Sequence, residues 1–126
     1  MAQIEEMYKC ERCGQIITVF HGGAGQLVCC GAPMTLLAEK TADTGKEKHV
    51  PVVTMKSGGI LVSCGEIPHP MEKEHYIEAI CIFTPDSVMI QKLKPGDKPE
   101  AQFCTGSQDV RARAYCNVHG LWTNKT

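Results

Sequence analysis

Tyr8-Lys9-Cys10-Glu11-Arg12-Cys13-Gly14 is separated by fifteen residues from Cys29-Cys30-Gly31, and together they read C-x2-C-x15-C-C. Paired cysteines at this spacing read as one tetrahedral, all-thiolate metal site formed by Cys10, Cys13, Cys29 and Cys30. In the first pair, backbone N–H groups are expected to turn inward toward the thiolates. Gly14 and Gly31 each follow a cysteine and permit the left-handed backbone such a turn needs. The second pair is vicinal, so the tetrahedron is expected to be distorted. Ile16-Ile17-Thr18-Val19-Phe20 is a short β-branched strand. His21 to Gly25 is a turn, and Gln26-Leu27-Val28 returns to Cys29. His21 itself reads as a surface residue. So small a unit cannot bury enough apolar surface to fold alone, and the metal must supply much of its stability. Four thiolates suit zinc and iron alike.

Working outward, residues 39 to 46 are polar and aperiodic and read as a linker, with domains predicted over 1–38 and 39–126. Beyond it, turns at Ser57-Gly58-Gly59, Pro68-His69-Pro70, Pro85-Asp86-Ser87 and Lys94-Pro95-Gly96-Asp97 punctuate short β-rich runs. The expected strands are Val50 to Met55, Ile60 to Ser63, Tyr76 to Phe83, Ser87 to Leu93, Ala101 to Cys104 and Val110 to Tyr115. Short strands between Gly and Pro turns predict a mainly β fold, an antiparallel sandwich or barrel. Apolar residues make up 43% of the 126, enough for a core, while aromatics at 6% make that core aliphatic.

A net charge of -1, from 13 basic and 14 acidic residues, is not the footprint of a nucleic-acid binder. No apolar run is long enough to span a membrane. The start has neither the basic region nor the apolar stretch of a signal peptide, which predicts a cytoplasmic protein. Eight cysteines in a reducing compartment argue for metal ligation over disulfides. Cys64, Cys81 and Cys104 stand outside both ligand sets and read as small buried hydrophobes.

The second ligand set lies downstream: His49, His69, His75, Cys116 and His119. Cys116 and His119 form C-x2-H, whose side chains can converge from a single turn. Pro68 and Pro70 stiffen the loop that carries His69. Four imidazoles and one thiolate are too rich for an ordinary zinc site and suit a redox metal with an open face. If the four nitrogens lie in a plane, the thiolate is axial and donates electron density toward the open position.

The cysteine pattern ending in Cys29-Cys30, together with Glu47-Lys48-His49-Val50-Pro51, Pro68-His69-Pro70-Met71 and Cys116-Asn117-Val118-His119-Gly120, resembles the desulfoferrodoxins, the two-iron superoxide reductases. The likeness runs over almost the whole chain and in the family's order. It implies a small desulforedoxin-like domain with one iron on four cysteines, followed by an immunoglobulin-like antiparallel β domain with a second iron. In that second site the resemblance makes His49, His69, His75 and His119 equatorial ligands and Cys116 the axial one. It also implies a homodimer and rubredoxin as electron donor.

The implied reaction is one-electron reduction of superoxide to hydrogen peroxide at the ferrous centre, without disproportionation. Because the chain as a whole is slightly acidic, attraction of the anion must be local. Lys48, next to His49, can supply it and help protonate the product. Glu47 is a hard oxygen donor that could take the open position after oxidation. A pure electron carrier would leave five ligands unused. A zinc-bound interaction module would be redox-silent, and an oxygenase would want a carboxylate in a two-histidine triad.

Overall fold

The computed structural model describes residues 4–41, 49–64 and 69–124, which divide into two compact units, Met1–Ala38 and Glu39–Thr126. Every regular element among the described residues is a strand.

In the first unit, β1 (Met7–Lys9) lies between β2 (Ile16–Thr18) and β5 (Thr35–Leu36), antiparallel to both. β3 (Val28–Cys29) and β4 (Ala32–Pro33) form a separate two-stranded ribbon. Its two-residue turn is Cys30-Gly31, with φ of 54° and 74°. Two consecutive positive φ values make the turn whose twist matches a β-hairpin. Glycine takes this conformation freely; Cys30 takes it at a cost. Phe20, expected within the first strand, is exposed beyond its end. The buried apolar side chains of this unit, among the described residues, are Cys10 and Val19.

The second unit is a β-sandwich. Its strands are β6 (Glu39–Lys40), β7 (Pro51–Lys56), β8 (Gly59–Cys64), β9 (Ile77–Phe83), β10 (Val88–Lys92), β11 (Glu100–Phe103), β12 (Arg111–Cys116) and β13 (Gly120–Thr123). One sheet runs β10-β9-β12-β13-β6 and the other β11-β8-β7. All pairings are antiparallel except β13 with β6. Alternation places Ile60, Val62 and Cys64 of β8 against Ala112, Ala114 and Cys116 of β12, with Ile80 and Ile82 of β9 and Phe103 of β11 completing the core. Near Cys116 the register with β9 slips: Tyr115 faces Ala79, yet Cys116 faces Ile77. This bulge lets Ile77 point inward although it is an odd number of residues from Ile80.

Two further expectations change. Glu39 and Lys40, read as linker, form an edge strand, because Glu39 Oε2 accepts hydrogen bonds from Arg111 Nη1 at 2.8 Å and Arg113 Nε at 2.8 Å. Residues 42–46 of that linker lie outside the described residues. Cys104 is exposed, because it follows inward-facing Phe103 at the strand end, whereas Cys64 and Cys81 are buried.

Candidate metal centres

The first centre grows from the β1–β2 turn. Cys10 N–H donates to Gln15 O and Gly14 N–H to Cys10 O, both at 2.9 Å, which closes the loop between the strands. Cys13 N–H then points at Cys10 Sγ, 3.4 Å away. Gly14 has the positive φ, 84°, that this closure needs. The β3–β4 ribbon brings up the other two sulfurs. Cys13 Sγ and Cys29 Sγ are 3.6 Å apart, and Cys29 Sγ and Cys30 Sγ 3.9 Å. Sulfurs at tetrahedral corners around a metal, each about 2.3 Å from it, would stand about 3.8 Å apart. The four-cysteine group therefore fits one metal ion of the kind thiolates hold. Backbone N–H donation, first from Cys13 and then from Arg12, draws the Cys10 thiol down to about 6. The Cys29 thiol is pushed up to about 12, first by its hydrogen bond to Cys10 and then by that to Cys13. Metal uptake by such thiols must release protons.

The second centre sits at one end of the sandwich. Pro51 at the start of β7 pairs with Cys64 at the end of β8, and Cys116 at the end of β12 pairs with Ile77 and Gly120. The segments that enter or leave these strands carry the ligands. His49 precedes β7, and His69 and His75 lie between β8 and β9. Cys116 closes β12, and His119 lies in the turn to β13. Glu72 and His75 pair as a bridge that folds this stretch back on itself. Donor atoms of all five side chains lie within 4.8 Å of one another.

The imidazoles close a ring of four. Centroids are 4.5 Å apart for His49–His69, 4.8 Å for His69–His75, 4.9 Å for His75–His119 and 4.8 Å for His119–His49, every pair edge-to-face. His49 Nε2 and His119 Nδ1 approach to 3.1 Å. Two nitrogens at right angles on one metal, each about 2.1 Å from it, would be about 3.0 Å apart. His69 Nδ1 stands 2.7 Å from Pro70 O, a pure acceptor, so Nδ1 carries the proton and Nε2 is the lone-pair donor. Cys116 Sγ lies 3.9 Å from His119 Nδ1 and receives the His119 backbone N–H at 3.4 Å. Spacing and donor chemistry fit one metal ion of the transition series.

Residues between the ligands set the geometry. Asn117 Oδ1 accepts from Tyr76 N–H at 2.9 Å, and its Nδ2 donates to Glu74 O at 3.0 Å. It therefore grips the backbone on both sides of His75 and ties it to the Cys116–His119 turn. Trp122 stacks on His49 with centroids 4.5 Å apart and planes 11° from parallel. Sequence reasoning gave Asn117 and Trp122 no role; the only available signals were a turn-type residue between two ligands and the chain's single tryptophan. His21 is exposed and joins neither centre. Glu47, Lys48 and Pro68 lie outside the described residues. Burial, with the nearby Cys116 charge second, pushes the Cys64 thiol up to about 12, which makes it inert.

The family model described as desulfoferrodoxin matches residues 41–125, and that of the desulfoferrodoxin N-terminal domain matches residues 2–37. A desulfoferrodoxin homolog of Archaeoglobus fulgidus is 52% identical over 97% of this chain and 98% of its own length. The desulfoferrodoxin of Syntrophotalea carbinolica is 51% identical over 99% of each. Among solved structures, the superoxide reductase of Treponema pallidum aligns with a TM-score of 0.80 and 26% identity, covering 98% of this chain and 100% of that one. Both family models match in chain order, and with relatives about half identical from end to end, this chain belongs to the desulfoferrodoxin family.

Proposed function

We propose that this chain is a superoxide reductase, catalysing superoxide plus one electron and two protons to hydrogen peroxide. The closed ring of four imidazoles with one cysteine beside it carries the reading. His49, His69, His75, His119 and Cys116 would hold one iron, and Cys10, Cys13, Cys29 and Cys30 a second. Iron at the five-ligand site would supply the electron. The protein's share is to fix the donors and to manage charge. His49 and His69 are buried, so packing fixes where their rings would offer nitrogen to the metal. The His119 backbone N–H donates to the Cys116 sulfur and would orient it as a ligand.

Lys48 adjoins His49 in sequence, and its ammonium would draw in the anion and deliver a proton to the product. Glu47 would compete for the open position afterwards. Residues 1–38 would form the desulforedoxin-like iron domain and 39–126 the catalytic domain. The finer reading is a cytoplasmic homodimer that takes electrons from rubredoxin. The family match and the structural likeness to a superoxide reductase support the activity.

The test is iron content together with pulse-generated superoxide under anaerobic conditions. About two irons per chain and peroxide without oxygen release are expected. Oxygen release in step with peroxide, or zinc in both sites of protein from iron-replete cells, would overturn the reading.

A further inference from the structure

The short strand β6 reaches the five-ligand centre twice. It runs parallel to β13, with Glu39 opposite Leu121 and Lys40 opposite Trp122. Glu39 is held by two guanidiniums, Arg111 Nη1 at 2.8 Å and Arg113 Nη2 at 2.7 Å, so its carboxylate is already engaged where Lys40 follows it. Lys40 Nζ donates to the His119 carbonyl at 2.7 Å. The same ammonium lies 5.1 Å from the centroid of Trp122. Trp122 in turn stacks on His49. Lys40 thus touches the backbone of one ligand and, through an aromatic ring, the side chain of another.

The indole offers its ring and not its N–H: Trp122 Nε1 is buried without a hydrogen-bond partner among the described residues. A buried flat ring lying 11° from the His49 plane restricts rotation of that imidazole, because turning it would break the stack. A charged hydrogen bond fixes the ammonium in place, so its field acts from a defined position. Second-shell partners that orient imidazoles and add charge tune a metal's potential.

We propose that Trp122 and Lys40 are positioning residues for the His49–His119 edge of the centre, and that the Lys40 charge biases the bound metal toward its reduced state. The sign follows from charge: a nearby cation opposes the extra positive charge of oxidised metal. The inference rests on the reading of the five side chains as an iron site.

The test uses full-length, iron-loaded protein in redox titrations followed by the visible charge-transfer band, beside thermal melts of the same proteins. Lys40→Gln is expected to lower the midpoint potential and leave the melting temperature nearly unchanged, and Lys40→Arg to restore the potential. Trp122→Leu is expected to shift the band, and Trp122→Phe to shift it less and in the same direction. Where Trp122→Leu does not fold, Trp122→Phe decides the point. An unchanged potential in Lys40→Gln, a Lys40→Arg potential as low as that of Lys40→Gln, or an unshifted band in Trp122→Phe would overturn the proposal. Wild-type protein that takes no iron at this site would instead sink the underlying reading and the inference with it.

Discussion

The two centres are built in opposite ways. The first unit packs two- and three-residue strands around four sulfurs, and among its described residues only Cys10 and Val19 are buried apolar side chains. Its Cys13 and Cys30 are exposed. The second unit has an aliphatic core running from Ile60 to Cys116, and its ligands hang from the ends of strands that this core already holds. In one unit the metal takes the place of a core. In the other it occupies a site whose walls stand on hydrophobic packing. Metal should therefore govern folding in the first case and chemistry in the second.

Removing metal is the strongest way to break that comparison. Structural metals bound by thiolates contribute about 10 to 16 kcal/mol, more than a small unit's whole stability. Chelation or Cys13→Ser is expected to abolish amide-exchange protection across residues 4–38 and leave the strands β7 to β13 protected. Protection of β1 and β2 that survives in metal-free protein would show that the small unit has a core of its own.

Next in size is Asn117→Ala. It removes two hydrogen bonds that grip the backbone beside His75 without touching a ligand or the core. Metal affinity of the second centre should fall about ten- to a hundredfold while the first centre keeps its spectrum. Unchanged affinity in a competition titration would mean that strand packing alone places His75.

Lys48→Ala should keep both metals and slow the reaction with superoxide about tenfold, with a flatter dependence on ionic strength. Pulse radiolysis over a salt series measures both. An unaltered rate and slope would reduce Lys48 to a solvated charge.

The smallest effect is in thiol labelling of metal-free protein. Cys13, Cys30 and Cys104 are exposed and should react at once. Cys64 and Cys81 should wait for unfolding, because burial raises both thiols and leaves almost no thiolate to react. Fast labelling of Cys81 would show that the second unit opens more readily than its core implies.

Much of the site was legible early because ligand chemistry belongs to residue types. Cys116-Asn117-Val118-His119 can be read as a turn carrying two donors without knowledge of any other strand. The Ser57-Gly58-Gly59 turn likewise marks the start of β8, and the structure turns its residues 60, 62 and 64 inward. What no local pattern shows is the bulge near Glu78, which shifts the inward set of β9 from one parity to the other. β13 lies outside the expected strands because Gly120-Leu121-Trp122-Thr123 is only four residues long. β6 has the look of linker because nothing local distinguishes Glu39-Lys40. Its strand character comes from Arg111 and Arg113, more than seventy residues away.

By itself, the sequence determined the donors, their grouping into a four-cysteine and a four-histidine-plus-cysteine set, and the β architecture, since these follow from side-chain chemistry and from short β-rich runs between Gly and Pro turns. Only the tertiary structure decided the order of imidazoles around the ring, the use of Nε2 by His49 and Nδ1 by His119 at their contact, and the placing of Lys40 and Trp122 behind them. These depend on which strand ends meet, and that is settled by packing between segments far apart in the chain, where no local pattern carries the information.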